Sequence, residues 1–113
     1  MRRLCGLQDI EDGGLLTLDA FTMSELDFNS ILLFRQGAHV RAWTNVCPHA
    51  GSRLDWAPGR FLRDGSNLVC AHHGAVFELD LGLCVSGPCR GQSLAPLNVL
   101  IKDGDVWLDK RPG

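Results

Sequence analysis

The stretch Cys47-Pro48-His49, with its counterpart Cys70-Ala71-His72-His73, decides how this chain is interpreted. The two segments have the forms C-x-H and C-x-x-H, and a glycine follows each within two residues, at Gly51 and Gly74. Thiolate and imidazole side chains are ligands for zinc, iron and iron–sulfur clusters. Proline and glycine beside them provide the rigid or permissive backbone that a tight ligand-bearing turn needs. The sequence therefore predicts a metal site built from two loops.

Length and composition limit what the chain can be. It has 113 residues, of which 45% are hydrophobic, which is enough for one modest core and predicts a single domain over residues 1–113. No apolar segment has the length of a signal peptide or a transmembrane helix, so we expect a cytoplasmic protein with no membrane partner. In a reducing compartment, the five cysteines favour metal binding over a disulfide framework. The net charge of −2, with no basic cluster inside the chain, argues against nucleic acid as a partner.

Short apolar segments separated by glycine predict an all-β fold. Two hairpins are predicted, Ile31–Arg35 with Ala38–Thr44 around Gln36-Gly37, and Val99–Lys102 with Asp105–Leu108 around Asp103-Gly104. Further strands are expected at 67–70 and 75–79, which lead into and away from the second ligand segment. Residues 15–28 come closest to a helical period, but the preceding Gly13-Gly14 and the β-branched Thr17 weaken the case for a helix.

With these motifs the chain resembles the Rieske-type [2Fe-2S] ferredoxins, and the resemblance covers essentially its whole length. It implies a Rieske fold of antiparallel sheets, in which a cluster-binding subdomain at about 45–92 is inserted into a β base. It also implies a [2Fe-2S] cluster as cofactor, with Cys47 and Cys70 on one iron and His49 and His73 on the other. The segment 86–91, Ser-Gly-Pro-Cys-Arg-Gly, matches the family's proline loop and is expected to cover the cluster from a third side.

Four positions distinguish the chain from the bc-type members of that family. Those members carry an extra cysteine in each ligand loop, joined by a disulfide, where this chain has Ser52 and His72. They also direct a Ser and a Tyr hydroxyl at the cluster, where this chain has Ala75 and Phe77. Because these hydrogen-bond donors favour the reduced cluster, their loss predicts a potential toward the low end of the Rieske range of roughly −150 to +300 mV.

The sequence allows alternatives for the metal, for the second histidine ligand and for the state of two further cysteines. A tetrahedral zinc site of the Cys2His2 type would use the same side chains. His72 competes with His73 as a ligand, although its spacing fits the motif less well. Cys84 and Cys89 flank the proline loop and are expected to be buried thiols, with a local disulfide as the alternative.

Three further expectations concern single residues. Cys5 is expected in the core, and His39 is expected to be structural or exposed to solvent. Pro48, Trp56 and Pro88 are candidates for an apolar collar around the cluster, although a tryptophan such as Trp56 more often packs than conducts electrons.

The resemblance implies a one-electron carrier that is not an enzyme on its own. Its electrons would come from an NAD(P)H-dependent flavin reductase and pass to a terminal oxygenase. The chain is too short to add the mononuclear iron domain of an oxygenase, and only His39 and His72 remain for such a site. The alternative is the Rieske-like small subunit of a nitrite reductase-type complex, bound to a large nitrite reductase subunit. A redox sensor or a zinc-stabilised interaction module is a third hypothesis.

Overall fold

The structure is a computed structural model that describes residues 2–19, 30–48, 54–57, 59–70 and 74–109. Within these ranges the chain forms strands and turns, with a single 3-10 helix at Leu7–Asp9. The strands are β1 (Arg2–Gly6), β2 (Leu15–Asp19), β3 (Ser30–Gln36), β4 (His39–Thr44), β5 (Leu62–Asp64), β6 (Asn67–Val69), β7 (Val76–Glu78), β8 (Cys84–Ser86), β9 (Pro96–Leu97), β10 (Val99–Lys102) and β11 (Asp105–Leu108). Every pairing of these strands is antiparallel, and the predicted all-β class is confirmed. No helix in the described part of the chain is long and apolar enough to cross a membrane.

The first compact unit, Met1–Thr44 with Pro96–Gly113, contains two sheets. Their strand orders are β1-β11-β10 and β2-β3-β4-β9. Strand β3 lies inside its sheet, between β2 and β4, and its residues 30–34 are all buried. Because successive side chains of a strand point to opposite faces, this continuous buried run means that β3 is covered on both faces. Ile31 and Leu33 join Cys5, Ile10, Ala42 and Val106 in the buried cluster of this unit.

The second compact unit is Asn45–Ala95, and it is inserted in sequence between β4 and β9 of the first unit. Its sheet has the sequential order β5-β6-β7-β8. Leu68 lies opposite Phe77, and Phe77 lies opposite Cys84, so one row of side chains crosses three strands. All three residues are buried, whereas their neighbours along each strand are more exposed. The insertion of this unit into a β base agrees with the predicted architecture.

Both predicted hairpins are confirmed, one of them with a shifted turn. Strand β3 pairs with β4 as far as Gln36 and His39, so the turn is Gly37-Ala38 and the predicted turn was one residue too early. Strands β10 and β11 pair as far as Lys102 and Asp105, which leaves Asp103-Gly104 as the two-residue turn. Residues 15–19 form β2 and pair with β3, and residues 20–28 of the weak helical period lie outside the described residues.

The Asp103-Gly104 turn gives a stability prediction. Asp103 has φ of +55° and Gly104 has φ of +79°, the left-handed pair that a type I′ hairpin requires. A Cβ on Gly104 would meet no atom within 4 Å, so a substitution there tests backbone conformation without a clash. We expect Gly104→Ala to lower the free energy of unfolding by about 1 to 2 kcal/mol. Asp103→Asn is the control, since asparagine tolerates the left-handed region of φ and ψ. In urea denaturation the control should unfold with nearly the free energy of wild type. Equal losses of unfolding free energy in both variants would contradict the explanation.

A second prediction concerns pH and the buried thiol of Cys5. Burial raises the pKa of Cys5 to about 11, and the carboxylate of Asp9 adds to the shift. Because the folded pKa lies above the ordinary thiol value of 9.0, the stabilising contribution is complete below pH 9.0 and is lost as the pH rises towards 11. We therefore expect the stability advantage of wild type over Cys5→Ala to narrow across this window in urea denaturation curves. If the free energies of unfolding of wild type and Cys5→Ala instead change with pH in parallel, the Cys5 thiol does not titrate in this way.

Candidate metal centre

The structure describes two of the four predicted ligands. Cys47 lies three residues after β4, and Cys70 follows directly after β6, both within the unit Asn45–Ala95. Their exposed fractions are 0% and 1%, so both thiols are withdrawn from solvent. His49 and His73, with the competing His72, lie outside the described residues.

A buried asparagine closes the first ligand segment. The side-chain Oδ1 of Asn45 accepts a hydrogen bond of 3.1 Å from the backbone N–H of Leu54. Both residues are fully buried, so neither polar group can turn to water instead. This bond ties the start of the segment, two residues before Cys47, to a point nine residues further along the chain. The sequence interpretation missed Asn45, and its only signal was a polar residue immediately after a strand.

The chain after Leu54 forms a tight turn that exposes an aromatic ring. The carboxylate Oδ2 of Asp55 accepts a 3.0 Å hydrogen bond from the N–H of Gly59, and the N–H of Trp56 donates to the carbonyl of Arg60 at 2.9 Å. Asp55 is buried, which identifies it as a structural residue rather than an ordinary loop acid. Trp56 is 57% exposed, so this collar candidate presents its ring at the surface.

Backbone hydrogen bonds close the second ligand segment at its base. The N–H of Cys70 donates to the carbonyl of Ala75 at 2.7 Å, and the N–H of Gly74 donates to the carbonyl of Cys70 at 3.0 Å. Gly74 has φ of +72°, a left-handed conformation that favours glycine. The glycine next to the predicted ligand His73 is therefore required by the course of the backbone.

The proline loop lies against the end of this second segment. Two hydrogen bonds close it, from the N–H of Cys84 to the carbonyl of Gln92 at 2.8 Å and from the N–H of Gly91 to the carbonyl of Cys84 at 3.0 Å. Gly87 has φ of +97°, and a Cβ there would lie 2.9 Å from the Cα of Ala75. Only glycine permits this close approach, so the loop packs directly on the residue that follows the second ligand segment.

Two more buried thiols belong to this region, Cys84 before the loop and Cys89 within it. The Sγ of Cys89 donates to the Sγ of Cys84 at 3.0 Å, and the Sγ of Cys84 donates to the carbonyl of Ser86 at 3.3 Å. Burial, and secondly the hydrogen bond with Cys84, raises the pKa of Cys89 to about 12. All five cysteines lie among the described residues, and all are buried thiols.

The positions that distinguish this chain from bc-type proteins are apolar and buried. Ala75 and Phe77 are both 0% exposed and carry no hydroxyl group. The three collar candidates Pro48, Trp56 and Pro88 are all exposed. His39 is exposed on β4 and Cys5 is buried, as expected from the sequence.

The described residues fit an iron–sulfur cofactor. A buried thiolate without a cation would be costly, whereas iron stabilises it, and Cys47 and Cys70 are buried thiols at the ends of two closed segments. The sequence profile of the Rieske [2Fe-2S] domain matches residues 3–102. The chain belongs to this family. The cofactor of a Rieske domain is a [2Fe-2S] cluster, and cysteine with histidine is its donor chemistry.

Among characterised proteins, the Rieske chain is similar to part of a much longer oxidoreductase. It is 32% identical over 83 residues to oxidoreductase NdmD of Pseudomonas putida, an alignment that covers 66% of this chain. The same alignment covers 13% of NdmD, so the chain spans only a small part of that relative.

Solved structures with this fold include ferredoxins. The ferredoxin of Sphingomonas yanoikuyae B1 superposes with a TM-score of 0.73 at 23% identity, over 96% of this chain and 97% of that one. A chain of the complex of reduced oxygenase and oxidized ferredoxin in carbazole 1,9a-dioxygenase superposes with a TM-score of 0.72 at 23% identity, over 94% of this chain and 89% of that one. At this identity, the likeness shows a shared fold.

The Asn45 hydrogen bond gives a prediction for the first ligand segment. We expect Asn45→Ala to lower the free energy of unfolding by about 1 to 3 kcal/mol, because it leaves the buried N–H of Leu54 without its acceptor. The iron content per chain should fall as well, since the segment that carries Cys47 loses its closure. Asn45→Asp is the control because it keeps an oxygen at the same position and should retain more iron than Asn45→Ala. Urea denaturation and iron analysis measure the two effects, and full iron content in Asn45→Ala would contradict this function of Asn45.

Proposed function

We propose that this Rieske chain is a one-electron carrier whose [2Fe-2S] cluster is held by Cys47, His49, Cys70 and His73. The observation that carries the proposal is the family match over residues 3–102, which includes both buried thiols at the ends of closed segments. When bound, the cluster supplies reversible one-electron chemistry. We also propose that residues 1–113 form one domain, with about 45–92 as its cluster-binding part, and that the protein acts in the cytoplasm.

The four proposed ligand side chains bind two different irons. The thiolates of Cys47 and Cys70 bind one iron, and their burial keeps water and oxidants away from the sulfurs. The imidazoles of His49 and His73 bind the other iron. The hydrogen bond from Leu54 to Asn45 and the turn at Gly74 hold the chain around Cys47 and Cys70 in place before the metal arrives.

The fully buried Ala75 and Phe77 support a low reduction potential. Hydrogen bonds to the sulfurs of an iron–sulfur centre are among the main influences on its potential. The side chains at these two positions donate none, since neither carries a polar hydrogen. A carrier with a low potential is suited to passing electrons onward to an oxygen-activating partner.

The proposed donor is an NAD(P)H-dependent flavin reductase, and the proposed acceptor is a terminal oxygenase. The fold shared with a chain of the oxygenase–ferredoxin complex of carbazole 1,9a-dioxygenase supports an oxygenase as the acceptor. The reductase as donor follows from the family resemblance of the sequence. Exposed apolar groups at Pro48, Trp56 and Pro88 offer contact area without charge, which suits a small and transient interface. We propose that His49 and His73 also form the route by which the electron leaves.

The ligand assignment can be tested by substitution at each position. Cys47→Ser, Cys70→Ser, His49→Ala and His73→Ala should each lose the visible absorbance and the rhombic EPR signal of the reduced protein, because each removes one bond to iron. His72→Ala is the matched control, a neighbouring histidine whose loss should leave both signals nearly unchanged. If His72→Ala bleaches the protein while His73→Ala does not, the assignment is wrong.

The carrier function needs its own measurement. The reduced protein, mixed with an oxidised Rieske oxygenase under anaerobic conditions, should transfer its electron, which stopped-flow absorbance can follow. Purification as a colourless zinc protein would contradict the proposed cofactor. Co-purification with a large siroheme-bearing subunit would contradict the oxygenase as acceptor and favour a nitrite reductase-type partner.

A further inference from the structure

We propose that Cys84 and Cys89 form a redox-active dithiol that a low-molecular-weight disulfide oxidises reversibly to a disulfide across the proline loop. Neither cysteine is a proposed iron ligand, so this site goes beyond the proposed electron transfer. In the reaction, a thiolate of the pair attacks the small disulfide and releases one thiol. The second cysteine then displaces the other thiol, so that two protein thiols and one disulfide give one protein disulfide and two small thiols.

The two sulfurs are already neighbours. The Sγ of Cys89 lies 3.0 Å from the Sγ of Cys84, so a bond of about 2.05 Å requires a closing movement of only about 1 Å. The backbone does not have to rearrange first, because the N–H of Gly91 and the carbonyl of Cys84 already join the two ends of the loop. The left-handed φ of Gly87 makes the turn that places Cys89 back over β8.

The size of the ring argues for a switch rather than a structural staple. Four residues separate the two cysteines, and a ring this short removes little entropy from the unfolded chain. The hydrogen bonds of the loop also hold it closed without a covalent link. A disulfide here therefore adds little stability, so that cellular thiols can reduce it again.

Access to the pair depends on opening of the loop. The exposed fractions of Cys84 and Cys89 are 1% and 2%, but Ser86, Pro88 and Arg90 around them are exposed. A local opening of these surface residues is enough to admit a small oxidant, whereas global unfolding is not required. Cys5 is the internal comparison, since it is buried in the core of the other unit.

Oxidation also alters a loop that packs beside the proposed metal centre. A Cβ on Gly87, which lies between the two cysteines in the sequence, would be 2.9 Å from the Cα of Ala75, so the loop lies directly against the end of the segment that carries Cys70. We therefore expect the reduction potential of the cluster to shift when the pair is oxidised. This consequence, unlike the disulfide itself, rests on the proposed function.

Mass spectrometry can locate the disulfide in the cluster-loaded protein. The protein is incubated with excess glutathione disulfide, and remaining thiols are blocked with N-ethylmaleimide in denaturant. Cleavage after acidic residues gives the peptide 81–103, in which Cys84 and Cys89 are the only cysteines. We expect this peptide to be about 2 Da lighter than its dithiol form and to carry no maleimide. If the protein is reduced before the blocking step, the same peptide should carry two maleimides.

Matched variants define the outcomes. Cys84→Ala and Cys89→Ala should lose the internal link, whereas Cys5→Ala should keep it. Two maleimides on the wild-type peptide after glutathione disulfide treatment would overturn the proposal, and so would a link from Cys89 to the peptide that carries Cys47. A redox titration of the linked protein tests the effect on the cluster, and an unchanged potential would refute that effect alone. An iron-free protein that still forms the link would refute the proposed function but support the dithiol.

Discussion

The candidate metal centre depends on keeping two thiols out of water at the ends of segments that the chain closes by itself. Cys47 follows the Asn45 side chain that accepts from Leu54, and Cys70 both donates to Ala75 and accepts from Gly74. Hydrogen bonds of this kind contribute only about 1 kcal/mol each, but leaving a buried partner unsatisfied costs more. Opening either segment would leave a buried polar group unsatisfied, and this penalty maintains the closed geometry around Cys47 and Cys70.

The strand topology explains why one continuous insertion can carry both segments. Strand β4 pairs with β9 through Ala42 with Leu97 and through Trp43 with Pro96, so the chain leaves the first unit and returns to it on adjacent strands. Residues Asn45–Ala95 can then form their own sheet from consecutive hairpins, with no long crossover. Both ligand segments and the proline loop are connections at the ends of these strands, where function can vary without loss of the sheet.

Local patterns allowed much of the fold to be predicted from sequence, and residues whose importance depends on tertiary contacts were missed. The Asp103-Gly104 turn was placed correctly because two left-handed residues leave few other conformations, whereas Gln36-Gly37 allowed a shift of one residue. Asn45 and Asp55 could not be recognised, since their hydrogen-bond partners and burial follow only from the folded loops. The ligand assignment was implied by the resemblance to the Rieske family, and the structure adds the burial of Cys47 and Cys70, while the histidines lie outside the described residues.

The proline loop matters for the candidate metal centre because it packs directly on the end of the second ligand segment. Gly87 approaches the Cα of Ala75 so closely that a Cβ there would lie 2.9 Å away. A loop packed in this way can transmit a change in its own sulfurs to that segment. In proteins without hydroxyl donors at positions such as Ala75 and Phe77, the remaining hydrogen bonds to the ligand sulfurs have a larger share in setting the potential. The thiols of Cys84 and Cys89 belong to the loop region packed beside this centre, and their chemistry, unlike that of a serine or tyrosine hydroxyl, can itself respond to the redox state of the surroundings.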